Sequence, residues 1–211
     1  MGDGPKKRGK PRASEIITTC FDPERTLAHA REKTLDKFFA CIVVAQTVDS
    51  NSVKTTYVKR GFRLLDTQPL FLRDVAPANE PLPANVRRTT TNAELTMVEK
   101  FSGKRQLCAT TLGDIDPPIR LHTAWQDGSL VGYVKSVRTP FGGNWVSDLF
   151  VSNEHRRKGI ATALMQSMLA EDFRLGVKLS VLLSSRHGRP FYPTLGYKLI
   201  GSLLLVSPPR I

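Results

Sequence analysis

The residues Arg156-Arg157-Lys158-Gly159-Ile160-Ala161 have the types and spacing of an anion cradle. They follow the apolar stretch Leu149-Phe150-Val151 and open the amphipathic run Thr162 to Leu169, a pattern that reads as strand, tight turn and helix start. The first turn of a helix leaves backbone N–H groups unpaired and carries the positive end of the helix dipole, so a phosphate or pyrophosphate laid there finds donors in place. Gly159 lets the ligand approach the backbone closely. Ala161 presents only a methyl group, and Arg156, Arg157 and Lys158 surround the site with positive charge.

Downstream lies a second stretch, Phe191-Tyr192-Pro193-Thr194-Leu195-Gly196-Tyr197. R-x-x-G-x-A after a strand, followed by F-Y-x-x-L-G-Y, resembles the cofactor loop and the closing motif of the GCN5-related N-acetyltransferases (GNAT). The resemblance covers roughly the last 125 residues. It implies transfer of an acetyl group from acetyl-CoA, as cosubstrate, to an amine. The backbone of Arg157, Lys158, Gly159, Ile160 and Ala161 would hold the cosubstrate, with Arg156 beside it. It further implies that the strand ending at Val151 splays from its neighbour, often at a bulge, so that backbone N–H groups of Phe150 and Val151 face the thioester oxygen.

Tyr192 stands where the family carries its general acid. A phenol with a pKa near ~10 is protonated at neutral pH and can donate to a thiolate whose parent thiol titrates near ~8.5. Pro193 directly after it departs from the usual pattern and bears on how the tyrosine is oriented. Asp148, three residues before Val151, stands where family members frequently carry an acid and is the candidate general base, acting directly or through a water. Three alternatives stay open: Asp148 pairs with a nearby arginine, Glu154 takes the role or caps the following helix, or His187, close in sequence to Tyr192, contributes.

Composition bounds the rest. The chain has 211 residues, 40% of them hydrophobic, enough for one domain or one and a half. No apolar run approaches the roughly 18 to 20 residues that span a bilayer, and the N-terminus lacks the apolar core of a secretory signal. Cys20, Cys41 and Cys108 are widely spaced and have no partners at metal-ligand spacing. The expectation is a cytoplasmic protein with free thiols and no metal. A net charge of +12 suits an anionic ligand such as CoA. Part of it lies in Lys6, Lys7, Arg8, Lys10 and Arg12, among glycines and prolines, which reads as a disordered tail; solvated tail, nucleic-acid contact and nuclear address are its alternatives.

The elements needed to position these residues can be traced along the chain. Asp22-Pro23-Glu24 begins a helix running to about Lys37, and Phe38 to Val48 is a buried strand. Asp49 to Ser52 breaks it, Val53 to Lys59 is helical with Gly61 as its cap, and two strands follow, Phe62 to Leu65 and Leu70 to Leu72. Proline-rich Pro77 to Ala84 is a linker. Beyond it come a strand at Val86 to Thr89, a helix opened by Thr91-Asn92-Ala93-Glu94, and a short helix at Arg105 to Leu112. A hairpin through Asp127-Gly128 joins Leu121 to Trp125 with Leu130 to Val137, and Trp145 to Val151 is the strand before the loop. The helix from Ile160, a buried strand at Val177 to Leu183, a short helix around Tyr192 and two strands, Tyr197 to Ile200 and Leu203 to Val206, complete the chain.

The expected fold class is α/β: a GNAT fold whose mixed central sheet, antiparallel in its first part, is flanked by helices. Its expected organisation is a basic tail at 1–13, a partial αβ segment at 14–76, a linker at 77–84 and a complete acetyltransferase domain at 85–211. Tyr57-Val58-Lys59-Arg60-Gly61-Phe62 is similar to Tyr192-Pro193-Thr194-Leu195-Gly196-Tyr197, which reads residues 14 to 76 as a degenerate second copy of the fold's C-terminal part; an unrelated extension is the alternative. The leading function is an N-acetyltransferase acting on a primary amine of a small molecule or protein, with the oligomeric state, a homodimer included, left open. Its competitor is a non-catalytic CoA-binding or interaction module that uses the tail on nucleic acid.

Overall fold

The computed structural model describes residues 14–33, 38–77, 83–106, 112 and 114–209. The expected basic tail, the last turn of the first helix, most of the proline-rich linker, Cys108 and most of the short helix at Arg105 to Leu112 lie outside the described residues. The chain divides into two compact units, residues 1–69 with 200–211, and residues 70–199. These cut the chain at other places than the sequence bounds 14–76 and 85–211.

The first unit holds strand β1 (Ser14–Thr18), helix α1 (Pro23–Lys33), strand β2 (Phe38–Ala45) and helix α2 (Ser50–Lys59). It also holds the first part of strand β3 (Arg63–Asp74) and the last part of strand β9 (Lys198–Ser207). β1 runs parallel to β2, and β2 pairs antiparallel with β9 from Ala40↔Val206 to Ala45↔Gly201. The strand ends at Ala45, ahead of the expected Val48, and the helix begins earlier than Val53: Asp49 accepts from the Asn51 N–H at 2.9 Å as N-cap, and Ser50, Asn51 and Ser52 form the first turn of α2. Gly61 closes the helix in the left-handed region, as expected. Ala30, Ile42, Val44, Val53, Tyr57, Phe62 and Leu204 form the unit's core.

The second unit is a mixed sheet in the order β3-β8-β7-β6-β5-β4. Its strands are β4 (Val86–Arg88), β5 (Ile119–Gln126), β6 (Ser129–Arg138), β7 (Gly143–Val151) and β8 (Leu179–Leu183), completed by the end of β3. β4 to β7 are antiparallel, β7 and β8 parallel, and β8 and β3 antiparallel. Helix α3 (Asn92–Ser102) is capped by Thr91, which accepts from the Glu94 N–H at 3.2 Å, while Glu94 accepts from Thr90. The hairpin turn at Asp127-Gly128 has both residues at positive φ. Helix α4 (Ile160–Arg174) packs Leu164, Met165 and Met168 against Val134, Val146 and Val151. α3 packs Leu95 and Val98 against Leu121 and Tyr133. Tyr133 and Val134 are neighbours on one strand, so the two helices cover opposite faces.

Two expected strand breaks are absent. β3 is one strand rather than two, because Pro69 falls just before the ladder with β8 begins at Leu70 and its missing N–H breaks no bond to β8. β9 is likewise continuous through Gly201-Ser202. A Cβ at Gly201 would collide with the carbonyl of Val44, so this glycine serves close strand approach instead of a turn. No helix among the described residues is long and apolar enough to cross a membrane, and no cluster of them could hold a metal ion.

Candidate active site

The loop between β7 and α4 is built from backbone conformations that only a few residues tolerate. After a short 3₁₀ turn at Asn153–His155, tied by a 2.8 Å hydrogen bond between Ser152 Oγ and His155 Nδ1, the chain passes through Arg157 at φ 61° and Gly159 at φ 78°. Left-handed residues alternating with extended or helical ones turn successive N–H groups inward as an anion nest. The first turn of α4 adds its own free N–H groups, and no side chain caps it. Glu154 therefore does not cap this helix; it lies exposed in the 3₁₀ turn. A Cβ built on Gly159 meets no protein atom within 4 Å. Its open side belongs to a cleft of about 340 Å³ lined by Arg156, Arg157, Gly159, Ala161, Val151 and Phe191 among others. Lys158 is exposed and does not line the cleft. Arg156 donates from Nε to the Val151 carbonyl at 3.2 Å, so it also straps the loop to the strand end. The residues present fit a pyrophosphate: donors, positive charge and a glycine with open space above it.

β7 carries the expected bulge. Lys135 pairs with Asp148 and Ser136 with Val146, leaving Ser147 as the extra residue. The parallel pairing with β8 ends at Val146↔Leu182, so residues beyond it have no registered partner there. Antiparallel strands alternate between residues that exchange hydrogen bonds and residues that do not. Ser152 donates to Val131 at 2.9 Å, which places Tyr133↔Phe150 in the bonded class and Gly132↔Val151 and Val134↔Leu149 in the other. The Phe150 N–H is thus spent on β6, whereas those of Val151 and Leu149 face away from it. Of the two donors expected from sequence, the Val151 N–H points away from β6 and the Phe150 N–H does not, because successive N–H groups on a strand point to opposite sides; Leu149 shares the Val151 direction.

Tyr192 opens a 3₁₀ turn, Tyr192–Leu195, with Pro193 in its first turn and Gly196 closing it at φ 79°. The proline is accommodated where no N–H is required. The ring is 8% exposed and packs against Phe71, Phe191 and Tyr197 at centroid distances of 6.0, 5.3 and 5.9 Å. Burial raises its pKa above the ordinary value, which keeps the hydroxyl a donor at neutral pH. Phe191 lines the cleft, whereas Tyr192 itself lies in the core cluster with Val151 and Ile160 and is not among the cleft's lining residues. His187 is exposed in the turn before it.

Among the described residues Asp148 has two ion-pair partners, neither of them an arginine. Its Oδ1 lies 3.0 Å from Lys104 Nζ and its Oδ2 3.1 Å from Lys135 Nζ. The hydrogen bond to Asp148 raises the Lys104 pKa. Beside the triplet, Phe150 is 40% exposed and rests on Phe101 and Tyr133. The period-two spacing of Tyr133 and Lys135 was a signal that could have placed both on the Asp148 face.

A parallel strand pair opening over a left-handed loop and a helix N-terminus defines an α/β protein with a cleft between β7 and α4, lined by backbone donors and arginines. Matches to known proteins sharpen that class. The family model for the acetyltransferase (GNAT) domain matches residues 89–205, more than half of the chain, and the chain belongs to this family; it is an acetyltransferase. The fold is similar to a GCN5-related N-acetyltransferase from Kribbella flavida, 17% identical with a TM-score of 0.61, covering 88% of this chain and 73% of that one. It is equally similar to a tandem GNAT protein from the clavulanic acid biosynthesis pathway, 18% identical with a TM-score of 0.61, covering 89% of this chain and 70% of that one. A GCN5-related N-acetyltransferase from Sphaerobacter thermophilus is 17% identical with a TM-score of 0.56, covering 89% and 66%. No curated protein sequence matches the chain.

Proposed function

We propose that this acetyltransferase takes the acetyl group from acetyl-CoA and places it on a primary amine, with the chemistry centred on the free end of β7. The observation that carries this reading is the combination of Gly159's open, left-handed position with a strand whose Val151 and Leu149 N–H groups have left both ladders. The nest and α4 N-terminus hold the pyrophosphate, and Arg156 and Arg157 add charge. The freed N–H groups donate to the thioester oxygen and stabilise the negative charge that grows there as the amine nitrogen attacks the carbonyl carbon. The carbon–sulfur bond then breaks, the nitrogen gives up its proton, and Tyr192 donates its own to the departing sulfur. Asp148 accepts the amine's proton once a lysine has left one of its oxygens.

The first unit supports a subordinate reading, a degenerate copy that does not catalyse. Its order β1, α1, β2, α2, β3, with β1 parallel to β2, repeats the order β7, α4, β8, 3₁₀ turn, β9, with β7 parallel to β8. Tyr57, at the position matching Tyr192, is fully buried, with its hydroxyl 2.7 Å from Thr26 Oγ1 and donating to the Cys20 carbonyl at 2.9 Å. A hydroxyl so engaged has no proton to offer a ligand.

Calorimetric titration with acetyl-CoA and CoA, coupled to a thiol-release assay over a panel of amines, tests the main reading. Binding with amine-dependent CoA release is the expected result. Binding without release from any amine would leave a CoA-binding module, and no binding at millimolar ligand would overturn the cosubstrate assignment.

A further inference from the structure

The ion triplet on the α3 face of the sheet lies outside the cleft that Gly159 opens into. Lys104 from beyond the end of α3, Lys135 from β6 and Asp148 from β7 hold one another at 3.0 and 3.1 Å, with side-chain exposures of 53%, 17% and 25%. The group carries a net charge of +1. One pleat along β7, ~7 Å away, Phe150 projects from the same face. Its ring is backed by Phe101 at 5.6 Å and Tyr133 at 6.0 Å, so it is held in place while 40% of it stays exposed. Cations, one carboxylate and a fixed apolar surface therefore lie within the span of one small molecule, next to the strand segment whose Leu149 and Val151 N–H groups face the proposed thioester.

We propose that this surface is the acceptor subsite and that it selects free α-amino acids with large apolar side chains. The inference rests on the acetyl-transfer reading above. A zwitterion is the complement of the triplet. Its carboxylate takes Lys104, the more exposed lysine, and its ammonium takes the Asp148 oxygen that Lys104 releases, so one ion pair is exchanged for two. Lys135 stays in place on the other oxygen. The side chain lies on Phe150. An amine without a carboxylate has nothing to draw Lys104 away, and a polyamine meets a net positive charge. The same exchange brings the acceptor nitrogen to Asp148, which takes one proton from the ammonium and passes it to solvent, leaving the neutral amine that attacks; the nitrogen's second proton leaves by the same route after attack.

The test compares L-phenylalanine, phenethylamine and spermidine in the thiol-release assay at saturating acetyl-CoA. The expected result is a kcat/KM at least tenfold higher for phenylalanine than for either amine. In Lys104→Met the ratio of phenylalanine to phenethylamine falls toward one, with a melting temperature measured alongside to confirm folding. Equal or better turnover of phenethylamine or spermidine by the wild type overturns the proposal. Calorimetric titration of the CoA-loaded protein with phenylalanine separates the two readings. Binding without thiol release sinks acetyl transfer and leaves the subsite standing, acetylation of spermidine with no phenylalanine binding does the reverse, and neither binding nor release overturns both.

Discussion

Gly159→Ala separates a glycine needed for folding from a glycine needed for a ligand. Gly159 sits at φ 78°, and an added Cβ meets no protein atom within 4 Å. The folding cost therefore comes from the backbone alone, about 1–2 kcal/mol for an L-residue held in the left-handed region. In a chain of this size that lowers the melting temperature by roughly 2–8 °C. A pyrophosphate drawn against the Gly159 backbone would meet the new methyl directly. The expected loss of CoA affinity is at least tenfold, about 1.4 kcal/mol, and it is read separately from the folding cost because binding is measured well below the melting temperature. Gly176 supplies the control. It has φ 73°, its Cβ would also meet nothing within 4 Å, and it follows the other end of α4, ~23 Å from the loop. Thermal melts and calorimetric CoA titrations on wild type, Gly159→Ala and Gly176→Ala are expected to show two similarly destabilised variants, of which only the first binds CoA weakly. Equal CoA affinity in all three would refute the placement of the pyrophosphate at Gly159.

Tyr192→Phe is expected to lower turnover at least tenfold with CoA affinity kept, read by thiol release and calorimetry; unchanged turnover removes Tyr192 from the mechanism. Glu171 is expected to make the fold acid-sensitive: burial works to raise its pKa, but the hydrogen bond and charge of His122 and the pairing with Arg88 outweigh this and pull it down to about 2. A depressed carboxylate contributes stability above its unfolded pKa and loses it as pH falls through the folded one. About 3 kcal/mol should thus disappear between roughly pH 4.5 and pH 2 in chemical denaturation. Glu171→Gln should flatten that slope, and an identical slope in the variant would refute the assignment. Tyr57→Phe, which removes the hydroxyl bound to Thr26 and Cys20, is expected to cost about 1–2 kcal/mol of stability and to leave CoA affinity and turnover unchanged; a turnover loss like that of Tyr192→Phe would refute the reading of the first unit as non-catalytic.

Local signals were legible in the sequence wherever the chemistry was local. The Thr91 cap with Glu94, the Asp127-Gly128 turn and the Gly61 helix end all follow from side-chain hydrogen bonds or positive φ within a few residues. The loop at Arg156 to Ala161 was legible for the same reason. What was illegible depends on a neighbouring strand. Period-two reading of Trp145 to Val151 places Val146, Asp148 and Phe150 on one face. In the fold, the extra residue Ser147 sends Asp148 and Phe150 to the face covered by α3 while Val146 stays in the core under α4. The continuity of β9 through Gly201 is set by Val44 of β2, and the lysines that hold Asp148 come from 44 residues upstream in one case and from the adjacent strand in the other.

The far end of α4 explains how its first turn can act as a fixed donor. Glu171 and Asp172 lie in the last turn, where the negative end of the helix dipole disfavours acids, and both are buried. Burial raises the Asp172 pKa, with Arg120 and Asn144 working against it. Asp172 is bonded to Arg120, itself 1% exposed, and accepts from Asn144 at 2.6 Å; Glu171 pairs with Arg88 at 3.0 Å and His122 at 2.8 Å. Compared with well-packed apolar residues in the same places such a cluster adds little, because desolvation offsets most of the attraction, but losing one partner by mutation or protonation leaves a buried charge at a cost of about 3–5 kcal/mol. Its effect is therefore on position. Sliding or rotating α4 by one residue would uncouple both acids at once from partners on β4, β5 and β7, which makes the alternatives far higher in energy than any gain from hydrophobic repacking. The helix is pinned axially at its C-terminal end, and the loop at its other end inherits that fixed position, so that the N–H groups facing the cleft are held in place before a ligand arrives.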